Sequence, residues 1–191
     1  MSAIPDARSL SRELTRARAE AWLGRPTAPG ATGALMDEYA RAAEDFCGVV
    51  EAFDAAHYLR PHPQARAPQP GDPDTRTPQA ICTHVVSAAQ RYAAYILIRR
   101  GLLAADTPPA VVAPPASPRH VRAALAAGLT AMDTALAGLT GAGEQELAAL
   151  RFTVRWGPVY DPDMLMEHAI CHLLRHRRQL ENWPEADASK T

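Results

Sequence analysis

Residues 166–183, MEHAICHLLRHRRQLENW, decide how the chain is read. Together with Leu165 just before them, Ala169, His172, His176 and Gln179 recur at steps of four and three, the spacing of an inward stripe on an α-helix. Steps of four advance only ~40° around a 3.6-residue helix, so His168, His172 and His176 follow one another along one face. Two imidazoles therefore point into a core. A His-x-x-x-His pair can bring two nitrogens to one ion at ~2.0–2.1 Å. The spacing predicts a helix that opens at Asp161-Pro162 and ends at Trp183, where Pro184 stops it.

Further helices appear on working outward. FTVRWGPVY, residues 152–160, holds the only notable β-like residues; it is too short and solitary for a sheet and reads as an extended connection. Ser117-Pro118 is a cap and first-turn pair for a helix to about Leu139, closed by Gly138, Gly141 and Gly143. Another helix runs from Pro78 to Leu102. Leu35, Tyr39, Ala42, Phe46, Val49 and Phe53 form the stripe of a fourth. An N-terminal helix, Ser9 to Leu23, stops at Gly24 and Pro26 and is expected to pack on the rest. Six prolines between 61 and 78 exclude helix and central strand there, and so long a loop is often functional or mobile. The expectation is an all-α protein: N-terminal helix and linker over 1–32, a four-helix bundle over 33–184, and a tail over 185–191.

Composition agrees with this class. Thirty-nine of 191 residues are alanine, the best helix former, while aromatics reach 6%. Twenty basic residues, all arginine except Lys190, face 21 acidic ones, for a net charge of -1. That balance argues against general nucleic-acid binding, which needs a basic surplus. No uncharged apolar stretch approaches the ~20 residues of a membrane span, and the charged N-terminus lacks a signal-peptide core. Cys47, Cys82 and Cys171 are an odd number without CxxC spacing, and read as small buried residues in a cytoplasmic, reducing setting.

His84, in TPQAICTHVVSAAQRYAAYI, lies with Ile81, Ala88, Tyr92 and Tyr95 on another core stripe and is the candidate third ligand. A lone histidine there is more often a satisfied core residue, and the pair on the last helix alone leaves metal and structural readings open. His57, His62 and His120 read as surface residues. Leu173, Leu174 and Arg175 fill the space between the paired histidines, so the glutamate base of HExxH proteases is absent, and no Glu-x-x-His supports a di-iron bundle.

THVVSAAQRYAAYI and LMEHAICHLLRHRRQL, joined through RWGPVYDP, resemble the DinB/YfiT-like metalloproteins. The family pattern has one histidine early in the second bundle helix and H-x-x-x-H-R-x-Q in the fourth. His84, His172, His176, Arg177 and Gln179 match it, over residues 33 to about 183. His168 matches a frequent family histidine that is not usually a ligand. Arg178 departs from the glycine of many members. The resemblance implies an up-down-down-up bundle, a divalent metal such as zinc or nickel on His84, His172 and His176, and a homodimer. It also implies thiol-dependent transferase or isomerase chemistry with low-molecular-weight thiols.

Three neutral imidazoles would leave a divalent ion its charge and an open position, suited to activating a thiol or water. The functional expectation is a thiol S-transferase or hydrolase acting on a small molecule. Its competitor is a non-catalytic protein whose metal staples the helices or which binds a regulatory ligand. Arg99, Arg100, Arg175, Arg177 and Arg178, near the ends of the ligand-bearing helices, are candidates for a carboxylate-bearing cofactor or for plain solvated surface. Tyr92, Trp156 and Tyr160 are candidate pocket walls or core.

Overall fold

Alanine and proline divide the chain between them, one filling the helices and the other opening them or filling the loops. The computed structural model describes residues 16–63, 65–68 and 73–188, with side chains as far as Trp183. Within these bounds the chain is helical from 16 to 23 (α1), then forms α2 (Gly30–Glu51), α3 (Ala55–Leu59), α4 (Pro78–Arg99), α5 (Pro118–Leu136) and α6 (Glu144–Ala149). A two-stranded hairpin, β1 (Phe152–Thr153) and β2 (Val159–Tyr160), leads into α7 (Pro162–Ala188). The chain is mainly helical, as expected. None of its described helices is long and apolar enough to cross a membrane.

Local chemistry explains the helix starts. Thr77 Oγ1 accepts a hydrogen bond from Ala80 N at 2.9 Å, and Pro78 occupies the first turn of α4, where its missing N–H costs nothing. At α5 the proline works without a side-chain cap, because Ser117 Oγ pairs with His120 Nδ1 at 2.8 Å instead.

The four long helices share one core. Helix α2 packs along α5 and α7, and α4 packs along α5 and α7. Met36, Tyr39 and Phe46 from α2 meet Ile81 and Ile96 from α4, Leu125 and Leu129 from α5, and Leu165 and Met166 from α7 in a single buried cluster. Polar ties join the helices at matched heights. Thr32 at the start of α2 donates to Asp163 at the start of α7 at 2.9 Å, and further along both helices Arg177 reaches Asp45 at 3.2 Å. Arg122 near the start of α5 grips Glu44 (2.6 Å) and Glu51 (2.9 Å) towards the end of α2. Gln79 at the start of α4 donates to Pro115 O just before α5, and Arg100 at the end of α4 to Ala135 O near the end of α5. Helix α1 lies against this frame through buried Ala19 and through Trp22, whose indole donates to Glu44 at 2.8 Å under the Arg122 guanidinium.

The structure corrects several sequence expectations. Residues 152–160 are a small antiparallel hairpin rather than a plain extended connection, since Phe152 pairs with Tyr160 and Thr153 with Val159 across a turn with Gly157 at φ 111°. That positive φ is one a glycine adopts freely. Helix α2 begins at Gly30, inside the stretch read as linker, and α7 runs past Pro184 to Ala188. Proline's fixed φ is a helical value, so the chain can continue at the cost of one backbone bond. Helices α3 and α6, of five and six residues, are too short to show a period. His62 is buried, stacked on Trp183 at 4.7 Å with its Nε2 3.0 Å from the Trp183 carbonyl, whereas Cys171 is exposed. Of the expected N-terminal helix, residues 9–15 lie outside the described residues.

Helices α4 and α5 pack tightly where Gly128 faces Ala89: a Cβ on Gly128 would sit 2.8 Å from the Ala89 Cβ. A Gly128→Leu substitution is expected to lower stability by about 1–3 kcal/mol through overpacking, measured by urea unfolding. An unchanged midpoint would show that the contact can open freely.

Candidate metal centre

Helices α4 and α7 each contribute imidazoles where their apolar stripes meet. His84 lies two turns into α4, and His172 and His176 lie one turn apart in the middle of α7. The structure brings these three together: their ligand atoms lie within 4.8 Å of one another. Ring centroids are separated by 4.8 Å for His84–His172, 5.1 Å for His84–His176 and 4.6 Å for His172–His176. Nε2 of His84 and Nε2 of His172 stand 2.9 Å apart, so one ring donates its N–H to the bare nitrogen of the other. On the far side, His176 Nδ1 donates to Gln179 Oε1 at 3.0 Å, one turn on along α7. That bond fixes the tautomer, leaving Nε2 of His176 with its lone pair free.

Burial keeps the cluster uncharged. His176 is buried, and His84 and His172 are half-buried. Desolvation pushes His84 down to about 4 and His172 to about 2, each reinforced by its neighbouring imidazoles, and lowers His176 too. Arg175 lowers all three, and Arg91 and Arg155 act on His84 in the same sense. The rings are thus neutral near pH 7, the form that a metal ion requires. The donor set fits a borderline cation such as zinc or nickel better than a hard, oxygen-seeking one.

His168 is not one of the three grouped histidines, although its ring stacks on His172 at 6.3 Å. The His168 ring also stacks on Trp156 at 4.9 Å, receives the edge of Tyr92 at 5.5 Å, and has Nδ1 3.5 Å from Tyr160 Oη. Tyr92 is also within 6.0 Å of His172. Tyr92, Trp156 and Tyr160 therefore form an aromatic wall beside the cluster, with Tyr92 at once wall and core.

The opposite side opens into a cleft of about 730 Å³, roofed partly by Arg66, Ala67, Pro68, Pro73 and Thr75 of the proline-rich loop and bordered by Arg175 and Arg178. Of the five arginines singled out in the sequence, only these last two line the cleft. Arg99 donates to Ala149 O, Arg100 to Ala135 O, and Arg177 pairs with Asp45 and Glu181. Arg66 was missed, although the unusual length of its loop was the available signal. Neither Arg66 nor Arg175 has a hydrogen-bond or ion-pair partner among the described residues, whereas Arg178 pairs with Glu181 at 3.2 Å.

Two outcomes are expected. Replacing the Gln179 carboxamide by Gln179→Leu should weaken zinc binding about 10–100-fold in competition titrations with a chromophoric chelator. In metal-free protein the unfolded histidines take up protons near their ordinary pKa of ~6.5, while native His84 and His172 resist until about 4 and about 2. Stability should therefore be greatest above pH 7 and fall as the pH drops from about 7 towards 4. Urea unfolding of chelator-treated protein should show a shallower fall in a His84→Ala/His172→Ala variant; equal slopes would contradict the assignment.

No family model, curated protein or solved structure matches this chain.

Proposed function

We propose that this protein is a DinB-like metalloprotein, an up-down-down-up four-helix bundle that uses a divalent ion on His84, His172 and His176 for thiol transfer or hydrolysis of a small molecule. The helix directions rest on the interhelical ties: Thr32–Asp163 and Asp45–Arg177 align α2 with α7, while Arg122 on Glu44 and Glu51 sets α5 against α2. Gln79–Pro115 and Arg100–Ala135 align α4 with α5. The observation that carries the function is the convergence of three imidazoles at the floor of an arginine-bordered cleft.

A bound divalent ion supplies Lewis acidity and lowers the pKa of a thiol or water beside it. The protein's own groups do the rest. Gln179 holds the proton on His176 Nδ1, so that Nε2 faces the cluster as an acceptor. Tyr92 closes one flank of His172 against solvent. Arg66, Arg175 and Arg178 offer guanidinium forks for the anionic groups of a thiol or its acceptor. Three ligands, with no fourth gathered beside them among the described residues, favour an open site over a closed structural staple.

Metal analysis of the purified protein should give about one zinc or nickel per chain, lost in His172→Ala. Conjugation of low-molecular-weight thiols to model electrophiles should fall at least tenfold with chelator and recover when metal is restored. Arg175→Gln should raise KM more than it lowers kcat, because it removes a binding contact. A full complement of metal without chelator-sensitive turnover of thiols or hydrolysable esters would instead favour the staple. Unchanged metal content in His172→Ala would remove the centre altogether.

A further inference from the structure

Away from the histidine cleft, a second cavity of about 360 Å³ lies between the outer face of α4 and residues 103–110, and shares no lining residue with the cleft. Its walls are predominantly apolar, built by Ala94 and Ile98 of α4 and by Leu103, Pro108 and Pro109 of the connection. Two arginines also line it, Arg91 from α4 and Arg155 from the hairpin turn. Neither guanidinium has a hydrogen-bond or ion-pair partner among the described residues, in a protein where Arg25, Arg41, Arg76 and Arg122 are all paired with carboxylates. Arg155 is nonetheless positioned, because its backbone N–H donates to Tyr95 Oη at 3.2 Å and Tyr95 also lines the cavity. Tyr95 is held in turn by stacking on Phe152 at 5.6 Å.

We propose that this cavity is a binding site for a small carboxylate with an aliphatic body, the body seated against α4 and the carboxylate on Arg91 and Arg155. Charge and shape select this class together. A planar guanidinium matches a carboxylate in a two-pronged hydrogen bond, and two unpaired arginines lining one cavity supply complementary charge. The apolar walls gain nothing from a fully polar anion, and a neutral hydrocarbon leaves both arginines unused. A volume of about 360 Å³ is at the small end of ligand pockets, suited to roughly ten non-hydrogen atoms. The site requires no metal and does not rest on the function proposed above, although Arg91 and Arg155 lie close enough to His84 to act on its charge.

Octanoate is the probe, titrated by isothermal calorimetry into the full chain, with octanamide and acetate as controls for head and body. Saturable one-to-one binding of octanoate is expected, at least tenfold tighter than either control. An Arg91→Gln/Arg155→Gln variant and a cavity-filling Ala94→Phe variant should each lose at least tenfold, whereas chelator and His172→Ala should change the affinity less than twofold. Circular dichroism checks that the variants are folded; if one is not, the octanoate–octanamide contrast on the unaltered chain decides. Absence of saturable binding, equal binding of octanamide, affinity unchanged in folded arginine variants, or binding abolished by chelator would each overturn the proposal.

Discussion

Three imidazoles held without charge between α4 and α7 are the constraint around which the rest is arranged. Leucine or alanine at these stripe positions would need no partner; a buried imidazole needs one, because an unsatisfied polar atom out of water costs about 1–3 kcal/mol. The cluster meets that need internally, with His84 bonded to His172 and His176 bonded to Gln179. Such a network fixes register, since sliding α7 by one residue past α4 would break the His84–His172 pair and turn His172 away from the seam. The same arrangement keeps the bare nitrogens neutral and close, which is what a cation would need.

Small residues make this seam affordable within a four-helix core. Gly128 and Ala89 let α4 press closely on α5 without bulky side chains between them. Other faces of α4 then carry His84 and Tyr92 towards α7. On the far flank of the molecule, Trp22, Glu44, Glu51, Arg122, Asp45 and Arg177 form a chain of polar contacts binding α1, α5 and α7 to α2. Most of these contacts are partly exposed and individually contribute little. They also sort some of the arginines: Arg25, Arg122 and Arg177 tie distant segments together through carboxylates, whereas Arg66, Arg175, Arg91 and Arg155 have no such partner among the described residues.

The sequence was most informative where chemistry followed helical periodicity. His172 and His176 announced themselves by their four-residue spacing on a core stripe, and His84 by sharing a stripe with Ile81 and Ala88; the structure places all three in one cluster. Where position depends on a distant partner, the signal disappears. His62 sits beside prolines and reads as surface, yet the Trp183 ring, remote in the chain, buries it. Arg66 has no periodic context, and its place at the cleft follows from how the loop folds back over α7. Cys171 shows a different failure: its position one residue before His172 turns it outward, and that geometry outweighs the general preference of cysteine for burial. The hairpin escaped because two residues per strand are too few to alternate visibly.

His168 shows why the centre needs two helices. It shares the four-residue row with His172 and His176, but the row drifts about 40° at each step, so its two ends face different surroundings. At one end His168 turns to the hairpin, where Trp156 and Tyr160 enclose it; at the other His176 turns to the proline-rich loop. A single straight helix therefore does not gather all three of its imidazoles, and the third member of the cluster is His84 of α4. A cation held by His84, His172 and His176 would bind only when α4 and α7 are docked in register, since the unfolded chain separates His84 from His172 by 88 residues. Its binding free energy would then add to the stability of that helix pair, and would report on the docking of the core as much as on the chemistry in the cleft.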